Sequence, residues 1–376
     1  MKKLIAIEIV ILVLLLTAVG YFTFSEVSRR NTDIQEFPKV PSENLSSVSP
    51  EESTAEPTEE PTEPPTEAPT EPPVVVELAD SWIPLLYGKE ISASHYFVYD
   101  CNSNAFLLNS GSATEPIYPA SVTKLFSAYV ALQYIDPAQE VIAGSSLGYI
   151  DPDSSTAGLL SGDALTAEQM VAGMLLCSGN DATYALASDV GRIVADDQTI
   201  DTATAIKRFV EQMNTTAGEL GLKNSHFVTP DGIHDENHYV CAQDLVTIAR
   251  LAMEDPILSK YVGLAKMDVT TSGRTLNWKN SNKLLHEDLD FYCEYATGLK
   301  TGYTGAAGNC LISSFRIGSR DLLIGVFGSP EQDGRYVDTL LLFAQTFGLE
   351  IPEPEVPTDT LVEEPVFDEE IYDEAA

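Results

Sequence analysis

The chain has 376 residues, 22 prolines and a formal net charge of −36. About half of that charge lies in two proline- and acid-rich end segments, which bury too little apolar surface to offset the entropy of ordering them. The acidic remainder repels polyphosphate, which argues against nucleic acid as a partner, and its length suits a single folded core.

The N-terminal segment, residues 1–30, contains an apolar run from Leu4 to Phe24 that only Glu8 and Thr17 interrupt. This run is long enough to cross a bilayer, whereas the apolar core of a cleaved signal peptide usually has about 7–15 residues. No clear small-x-small cleavage pattern follows it. We therefore predict an uncleaved membrane anchor, with an exported and cleaved chain as the alternative.

Repeated Thr-Glu-Pro units in residues 31–76 predict a disordered, extended stalk whose like charges repel one another. Residues 351–376 carry ten acids and no base, and they predict a disordered acidic tail. Residues 77–350 remain as one globular domain.

The elements of this domain follow in chain order. Apolar runs at 96–100 and 105–108, on either side of a turn sequence, predict a β-hairpin. An apolar stripe predicts a helix from Pro119 to Leu132, and Thr166 with Gln169 forms a capping-box pattern that opens a second helix ending near Cys177. Further helices are expected from Asp181 onward, at 204–219, 242–253 and 335–347, and a second hairpin at 311–315 with 322–327. Strands at both ends with helices between them predict the α+β class, an antiparallel sheet covered by helices.

Ser121 and Lys124 lie three residues apart at the start of the first predicted helix, so they share one face. A serine hydroxyl becomes a good nucleophile only when a neighbour accepts its proton. Lysine accepts a proton only when it is neutral, which requires burial or a nearby cation, and Lys300 is the candidate cation. An accidental surface pair is the alternative, but the apolar helix that follows favours a buried pair.

Ser178-Gly179-Asn180 falls where the second predicted helix ends. These residue types form turns, so a plain turn is one interpretation. A hydroxyl and an amide that project from such a turn also suit proton transfer to a leaving amine and orientation of a substrate amide. On the second interpretation Ser178 is catalytic and Asn180 binds substrate.

Lys300-Thr301-Gly302 is predicted to lie on a strand. The lysine and the threonine hydroxyl suit a terminal carboxylate, and Gly302 lets a substrate lie against the strand as an added strand. Backbone N–H groups of Ser121 and Tyr303 are the candidate oxyanion hole.

His226, His234 and His238 lie close together in sequence but lack the spacing of a helical zinc motif. We interpret them as structural polar contacts and predict neither a metal nor another cofactor. The five cysteines include no C-x-x-C pair, so mostly buried thiols are expected.

In this order, the three motifs resemble those of the D-alanyl-D-alanine carboxypeptidases, the low-molecular-mass penicillin-binding proteins of bacterial cell-wall metabolism. The resemblance covers residues 96–347 and includes the segments 118–124, 177–182, 224–232, 282–285 and 297–304. Many members of the family carry a further β-rich domain, whereas the folded part is expected to stop near Glu350 here.

The resemblance implies the fold shared by penicillin-binding proteins and serine β-lactamases. It also implies an acyl-enzyme on Ser121 with Lys124 as base, acting on a peptidoglycan stem peptide that ends in D-Ala-D-Ala. Lys300 and Thr301 would hold the terminal carboxylate, and β-lactams would be covalent inhibitors. Such chemistry belongs in the bacterial cell envelope, on the outer side of a membrane anchor, or in secreted form if the anchor is cleaved.

A serine β-lactamase shares the three motifs, but the class closest in sequence activates water with a glutamate and an asparagine four residues further on. Glu211 and Asn214 are three apart, and no such pair occurs between Asn180 and Lys300. The non-enzymatic alternative is a tethered wall-binding protein or β-lactam receptor that is acylated once and stalls.

Overall fold

The fold is that of a computed structural model in which residues 74–354 are described. Its helices are Ile83–Leu86 (α1), Thr123–Leu132 (α2), Ala167–Leu176 (α3), Asn180–Val194 (α4), Thr202–Glu219 (α5), Ala242–Glu254 (α6), Pro256–Val262 (α7) and Gly334–Phe347 (α8). Its strands are His95–Asp100 (β1), Ala105–Asn109 (β2), Glu140–Ile142 (β3), Ala164–Thr166 (β4), Lys266–Thr271 (β5), Arg274–Lys279 (β6), Ala296–Thr304 (β7), Gly308–Ile317 (β8) and Arg320–Ser329 (β9).

A five-stranded antiparallel sheet with strand order β2-β1-β9-β8-β7 is the centre of the fold. The early hairpin β1–β2 therefore pairs with the late hairpin β8–β9. Strand β7 lies at one edge, where Thr301 is opposite Leu311 of β8. An edge strand keeps one row of backbone hydrogen-bonding groups unpaired by its own sheet, and this edge adjoins the site described below.

Each face of the sheet is covered by helices. On one face, Phe97 and Phe327 belong to a large apolar core together with the helices α2 to α7. On the other face, Val98 and Phe315 pack in a second core with Trp82 and with Phe343 of α8. Burial of one such large side chain contributes about 1.5–3 kcal/mol, so both layers hold the sheet in place.

The α+β class and both hairpins are confirmed, and each predicted helix is present. The capping box is confirmed as well, because Thr166 Oγ1 accepts from the Gln169 N–H at 3.2 Å and Gln169 Oε1 accepts from the Thr166 N–H at 3.0 Å. The first predicted helix starts later than expected, since residues 120–122 form a 3₁₀ turn before α2. The small strands β3 to β6 and the short helices α1 and α7 were not predicted, because such short segments carry little periodic signal.

Two expectations fall outside the described residues: the membrane anchor at 1–30, and all but the last three positions of the stalk at 31–76. The acidic tail at 351–376 is described only as far as residue 354. Within residues 74–354, no helix combines the length and the apolar character that crossing a membrane requires.

Candidate active site

Ser121 is the middle residue of the 3₁₀ turn that leads into α2. Two backbone segments press against this turn. Gly232 has a φ of +84°, and a Cβ there would lie 1.9 Å from the carbonyl oxygen of Ala120. Gly302 of β7 is also in close contact with this turn, since a Cβ there would lie 2.9 Å from Pro119 O and 3.0 Å from Ser121 N. The position of Ser121 is therefore set by backbone packing from both sides, and a side chain at either glycine would disturb it.

The Nζ atom of Lys124 lies 2.9 Å from Ser121 Oγ, as the helical spacing predicts. The same Nζ donates to the backbone oxygen of Asp231 at 2.8 Å, and the Lys124 side chain is fully buried. The amine is thus held beside the hydroxyl and is shielded from water, which is the setting that the sequence predicted for this pair.

Burial lowers the pKa of Lys124 to about 8, although the carboxylates of Asp231 and Asp181 oppose this effect. Lys300 is also fully buried, and its pKa lies well below the ordinary value because of burial and of the positive charges of Lys124 and Arg335. The sequence singled out Lys300 as the cation that shifts Lys124. Desolvation is instead the leading cause, and the repulsion between the two ammonium groups lowers the pKa of Lys300.

The second motif is a turn between α3, which ends at Leu176, and α4, which begins at Asn180. Ser178 adopts a φ of +59°, and a Cβ on Gly179 would lie 2.8 Å from that of Ala157. Ser178 and Asn180 are both buried, and Asn180 Oδ1 has no hydrogen-bond partner among residues 74–354. The backbone is thus the predicted turn, and it leaves an amide oxygen available to a ligand.

The third motif lies on the edge strand β7. Lys300 Nζ donates to the carbonyl oxygen of Thr301 at 3.1 Å, and Thr301 Oγ1 lies 2.5 Å from Ser281 Oγ. Tyr303 follows with 63% of its side chain exposed.

A cleft of about 780 Å³ brings the three motifs together. The predicted site residues that line it are Ser121, Ser178, Asn180, Thr301, Gly302 and Tyr303. Lys124 and Lys300 lie behind this lining, each in contact with one of its members. Stretches far apart in the chain therefore meet around one hydroxyl.

Sequence reasoning gave no role to Arg335, which it placed only at the start of the closing helix. The side chain is nearly buried and lines the cleft, and its Nη1 donates to Gly302 O at 2.9 Å. No local pattern identifies this arginine, because its partner lies 33 residues earlier in the chain.

For Asp181 the sequence predicted only the start of a helix and a place in the segment 177–182. Its carboxylate accepts from the N–H groups of Ala157 at 2.7 Å and of Leu159 at 2.8 Å, and it so fastens the loop that borders the cleft. The available signal for a structural role of Asp181 was its position as an acidic residue at a helix N-terminus.

The interpretation of the histidines as structural contacts is confirmed for His226 and His238 but is wrong for His234. His238 Nδ1 accepts from two backbone N–H groups at 3.2 and 3.3 Å, so its Nε2–H donates to Thr123 Oγ1 at 2.9 Å. His226 Nδ1 contacts Asn237 O at 2.6 Å. His234 instead packs edge-on against Tyr118 and lines the cleft.

Within the described part of the chain, no three acidic, histidine or cysteine side chains are grouped so that they could hold a metal ion. All five cysteines fall in this part and are free thiols, three of them buried and two half-buried, as expected.

Comparisons with known proteins give one consistent result. A family profile described as D-alanyl-D-alanine carboxypeptidase matches residues 84–331. The D-alanyl-D-alanine carboxypeptidase DacF of Bacillus subtilis is 29% identical over 63% of this chain and 58% of its own length. DacA of Haemophilus influenzae is 32% identical over 69% of this chain and 62% of its own length. The chain thus spans about three fifths of the length of these two relatives.

Among solved structures, the crystal structure of the Streptomyces K15 DD-transpeptidase superposes with a TM-score of 0.62 at 28% identity. This similarity covers 69% of the present chain and 99% of the other.

Proposed function

The chain belongs to the D-alanyl-D-alanine carboxypeptidase family, and from this premise we propose that it removes the terminal D-alanine from peptidoglycan stem peptides. The single observation that carries the proposal is the 2.9 Å distance between Lys124 Nζ and Ser121 Oγ in a buried setting. The relatives' names supply the substrate class, and this distance supplies a nucleophile with its base.

In the proposed reaction, neutral Lys124 accepts the proton of Ser121 while Oγ forms a bond to the carbonyl carbon of the penultimate D-alanine. The resulting oxyanion is bound by the backbone N–H groups of Ser121 and Tyr303, and such donors lower a barrier by about 3–4 kcal/mol each. As the C–N bond breaks, the proton that Lys124 took from Ser121 passes through Ser178 to the departing amine, and Lys124 is neutral again. Water then hydrolyses the ester and restores Ser121.

We assign substrate binding to three residues that line the cleft and to Lys300, which lies behind Thr301. Asn180, whose Oδ1 is buried without a partner, orients the amide of the substrate. Lys300 and Thr301 bind the terminal carboxylate, and a bound anion raises the pKa of Lys300. Gly302 lets the peptide lie along the free edge of β7 as an added strand.

β-Lactams present a carboxylate and a strained amide to the same groups, so we propose that they acylate Ser121. A β-lactamase would also need a base for rapid deacylation. Glu211 does not serve, because it is exposed on α5, where it pairs with Arg208 at 2.8 Å, and no glutamate is among the residues that line the described cleft. We therefore expect slow turnover of penicillin.

We propose residues 77–350 as the catalytic domain and the bacterial cell envelope as its location, with residues 1–30 as the membrane anchor. Hydrolysis is favoured by the names of the two carboxypeptidase relatives, whereas the Streptomyces K15 protein is a DD-transpeptidase by name. Transfer of the acyl group to an added amine in place of water distinguishes the two outcomes.

The test is release of D-alanine from a pentapeptide that ends in D-Ala-D-Ala, measured for the wild type and for Ser121→Ala. We expect Ser121→Ala to lose at least about 1,000-fold in rate and to take up no fluorescent penicillin, because a nucleophile has been removed. An unchanged melting temperature serves as the control for folding. A wild type that is labelled by penicillin yet releases no D-alanine would instead be a receptor, and labelling of Ser121→Ala would place the nucleophile elsewhere.

A further inference from the structure

Ser281 lies in the segment between β6 and β7 and is fixed to two elements of the site. Its N–H donates at 3.0 Å to the carbonyl oxygen of Leu176, the residue that ends α3 just before the second motif. Its own carbonyl oxygen accepts at 2.7 Å from the hydroxyl of Tyr336, the neighbour of Arg335 on α8. The backbone of Ser281 therefore has a defined position relative to both.

Its two flanking asparagines are buried and hold the same segment. Asn280 Nδ2 donates to the carbonyl oxygens of Val262 at 3.2 Å and Leu264 at 3.1 Å, while Asn280 Oδ1 accepts from the N–H of Asn282 at 2.9 Å. With the backbone fixed on both sides, rotation of its side chain is the main freedom left to Ser281.

That side chain meets the third motif. Ser281 Oγ and Thr301 Oγ1 are 2.5 Å apart, and both residues line the cleft. Neither hydroxyl has another hydrogen-bond partner within residues 74–354. Each hydroxyl carries one proton, so in this pair one oxygen donates and the other accepts.

We propose that Ser281 is a positioning residue that donates its proton to Thr301 and so leaves the Thr301 hydroxyl proton free for the carboxylate of the substrate. The inference rests on the proposed function, in which Thr301 binds that carboxylate. If Thr301 donated to Ser281 instead, only its lone pairs would face the anion, and two negative regions would meet. In the proposed direction the two bonds run from Ser281 through Thr301 to the carboxylate, and each polarises the next.

The test compares acylation of the full-length chain by benzylpenicillin with acylation by its methyl ester, which lacks the anionic carboxylate. Both rates are followed by the mass of the intact protein, so neither requires release of D-alanine. Ser281→Ala is expected to slow acylation by benzylpenicillin about fivefold, because it removes a hydrogen bond between two neutral hydroxyls, and such a bond typically contributes a factor of about 2 to 12. Acylation by the ester should change less than about twofold, since the ester offers no anion for the chain of hydroxyls to reach.

Two variants separate this role from a structural one. Ser281→Thr keeps the hydroxyl and should restore most of the rate with benzylpenicillin. In a Thr301→Val background, which removes the group through which Ser281 acts, Ser281→Ala should cause no further loss. Equal losses with both compounds, or an additive loss in the Thr301→Val background, would overturn the proposal.

The measurement also separates the two proposals from each other. A wild type that releases no D-alanine contradicts the proposed function, but its ratio of rates with the acid and the ester remains measurable. A wild type that releases D-alanine while Ser281→Ala keeps that ratio contradicts the role of Ser281 alone.

Discussion

At the scale of single residues, the central question is how a lysine becomes a base. An ammonium group that loses its hydration gives up its proton more readily, and full burial lowers the pKa of Lys124 to about 8. At pH 7, a group with that pKa is neutral in about one molecule in ten, and the proposed proton transfer uses this neutral fraction. The carboxylates of Asp231 and Asp181 limit the shift, and they also stabilise the ammonium form that the proposed attack of Ser121 produces.

Asp231→Asn tests how far the carboxylate charge opposes the effect of burial on the pKa of Lys124. The amide keeps an oxygen to accept from the Ile233 N–H, which now bonds to Asp231 Oδ1 at 3.2 Å, but it removes the negative charge beside Lys124. The pKa of Lys124 should therefore fall further, so that activity appears at lower pH. We expect the acid limb of the pH profile of the acylation rate to move to lower pH, independently of any change in the maximum rate. A limb that stays in place or moves to higher pH would show that Asp231 does not act on this lysine.

At the scale of elements, the proposed nucleophile Ser121 is positioned by backbone contacts. The 3₁₀ turn at 120–122 is enclosed between the 231–232 segment and β7, and at both contacts a glycine allows the approach. At Gly232 the backbone also adopts a φ of +84°, which residues with a Cβ rarely tolerate. The catalytic geometry is thus built into close packing of main chain against main chain.

Gly232→Ala should therefore damage the site and the fold together. The new Cβ would lie 1.9 Å from Ala120 O, so the turn that carries Ser121 must move. We expect a loss of roughly 1–3 kcal/mol in the free energy of unfolding and at least about a tenfold slower acylation. Gly218→Ala is the matched control, because a Cβ on this exposed glycine of α5 meets nothing within 4 Å. Its stability should stay equal or rise slightly, since alanine favours the helix. Two variants that behaved alike would contradict the packing argument.

At the scale of the whole molecule, the cleft exists because distant parts of the chain share one sheet. The first hairpin, β1–β2, pairs with β9. The helices that lie between these strands in the sequence carry the first two motifs and place them beside the edge strand β7. The loop that contacts Lys124 is held in part by buried His238, which forms hydrogen bonds with Thr123 and with the backbone of residues 228 and 229. This ring therefore fixes the loop next to the candidate active site.

Burial lowers the pKa of His238 to about 4 from an ordinary value of 6.5. The unfolded chain thus binds a proton between these limits that the folded chain does not, so stability falls as the pH falls from about 6.5 to about 4. At 1.36 kcal/mol per pH unit, the wild type should lose about 2 kcal/mol from this group between pH 7 and pH 5.

Urea unfolding of the wild type and of His238→Gln measures this contribution. The glutamine side chain carries both a donor and an acceptor but does not titrate. The stability of His238→Gln should therefore decrease less between pH 7 and pH 5 than that of the wild type. Parallel losses in the two proteins would mean that His238 is not the group responsible.

The sequence by itself determined the α+β class, the longer helices and the two hairpins. Hydrophobic periodicity, the capping box of Thr166 with Gln169 and turn residues are local signals, and the structure forms the helices and hairpins that they predict. The pairing of Ser121 with Lys124 was also predictable, since residues three apart on a helix share a face.

Only the tertiary structure decided which distant groups complete the site. Arg335 reaches Gly302 and Ser281 reaches Thr301 across gaps of 33 and 20 residues, and His234 enters the cleft from a loop. It also decided that burial, more than a neighbouring cation, shifts the pKa of Lys124. The physical reason is that desolvation and contacts between distant segments depend on how the layers pack in space. The local spacing of residues specifies neither of them.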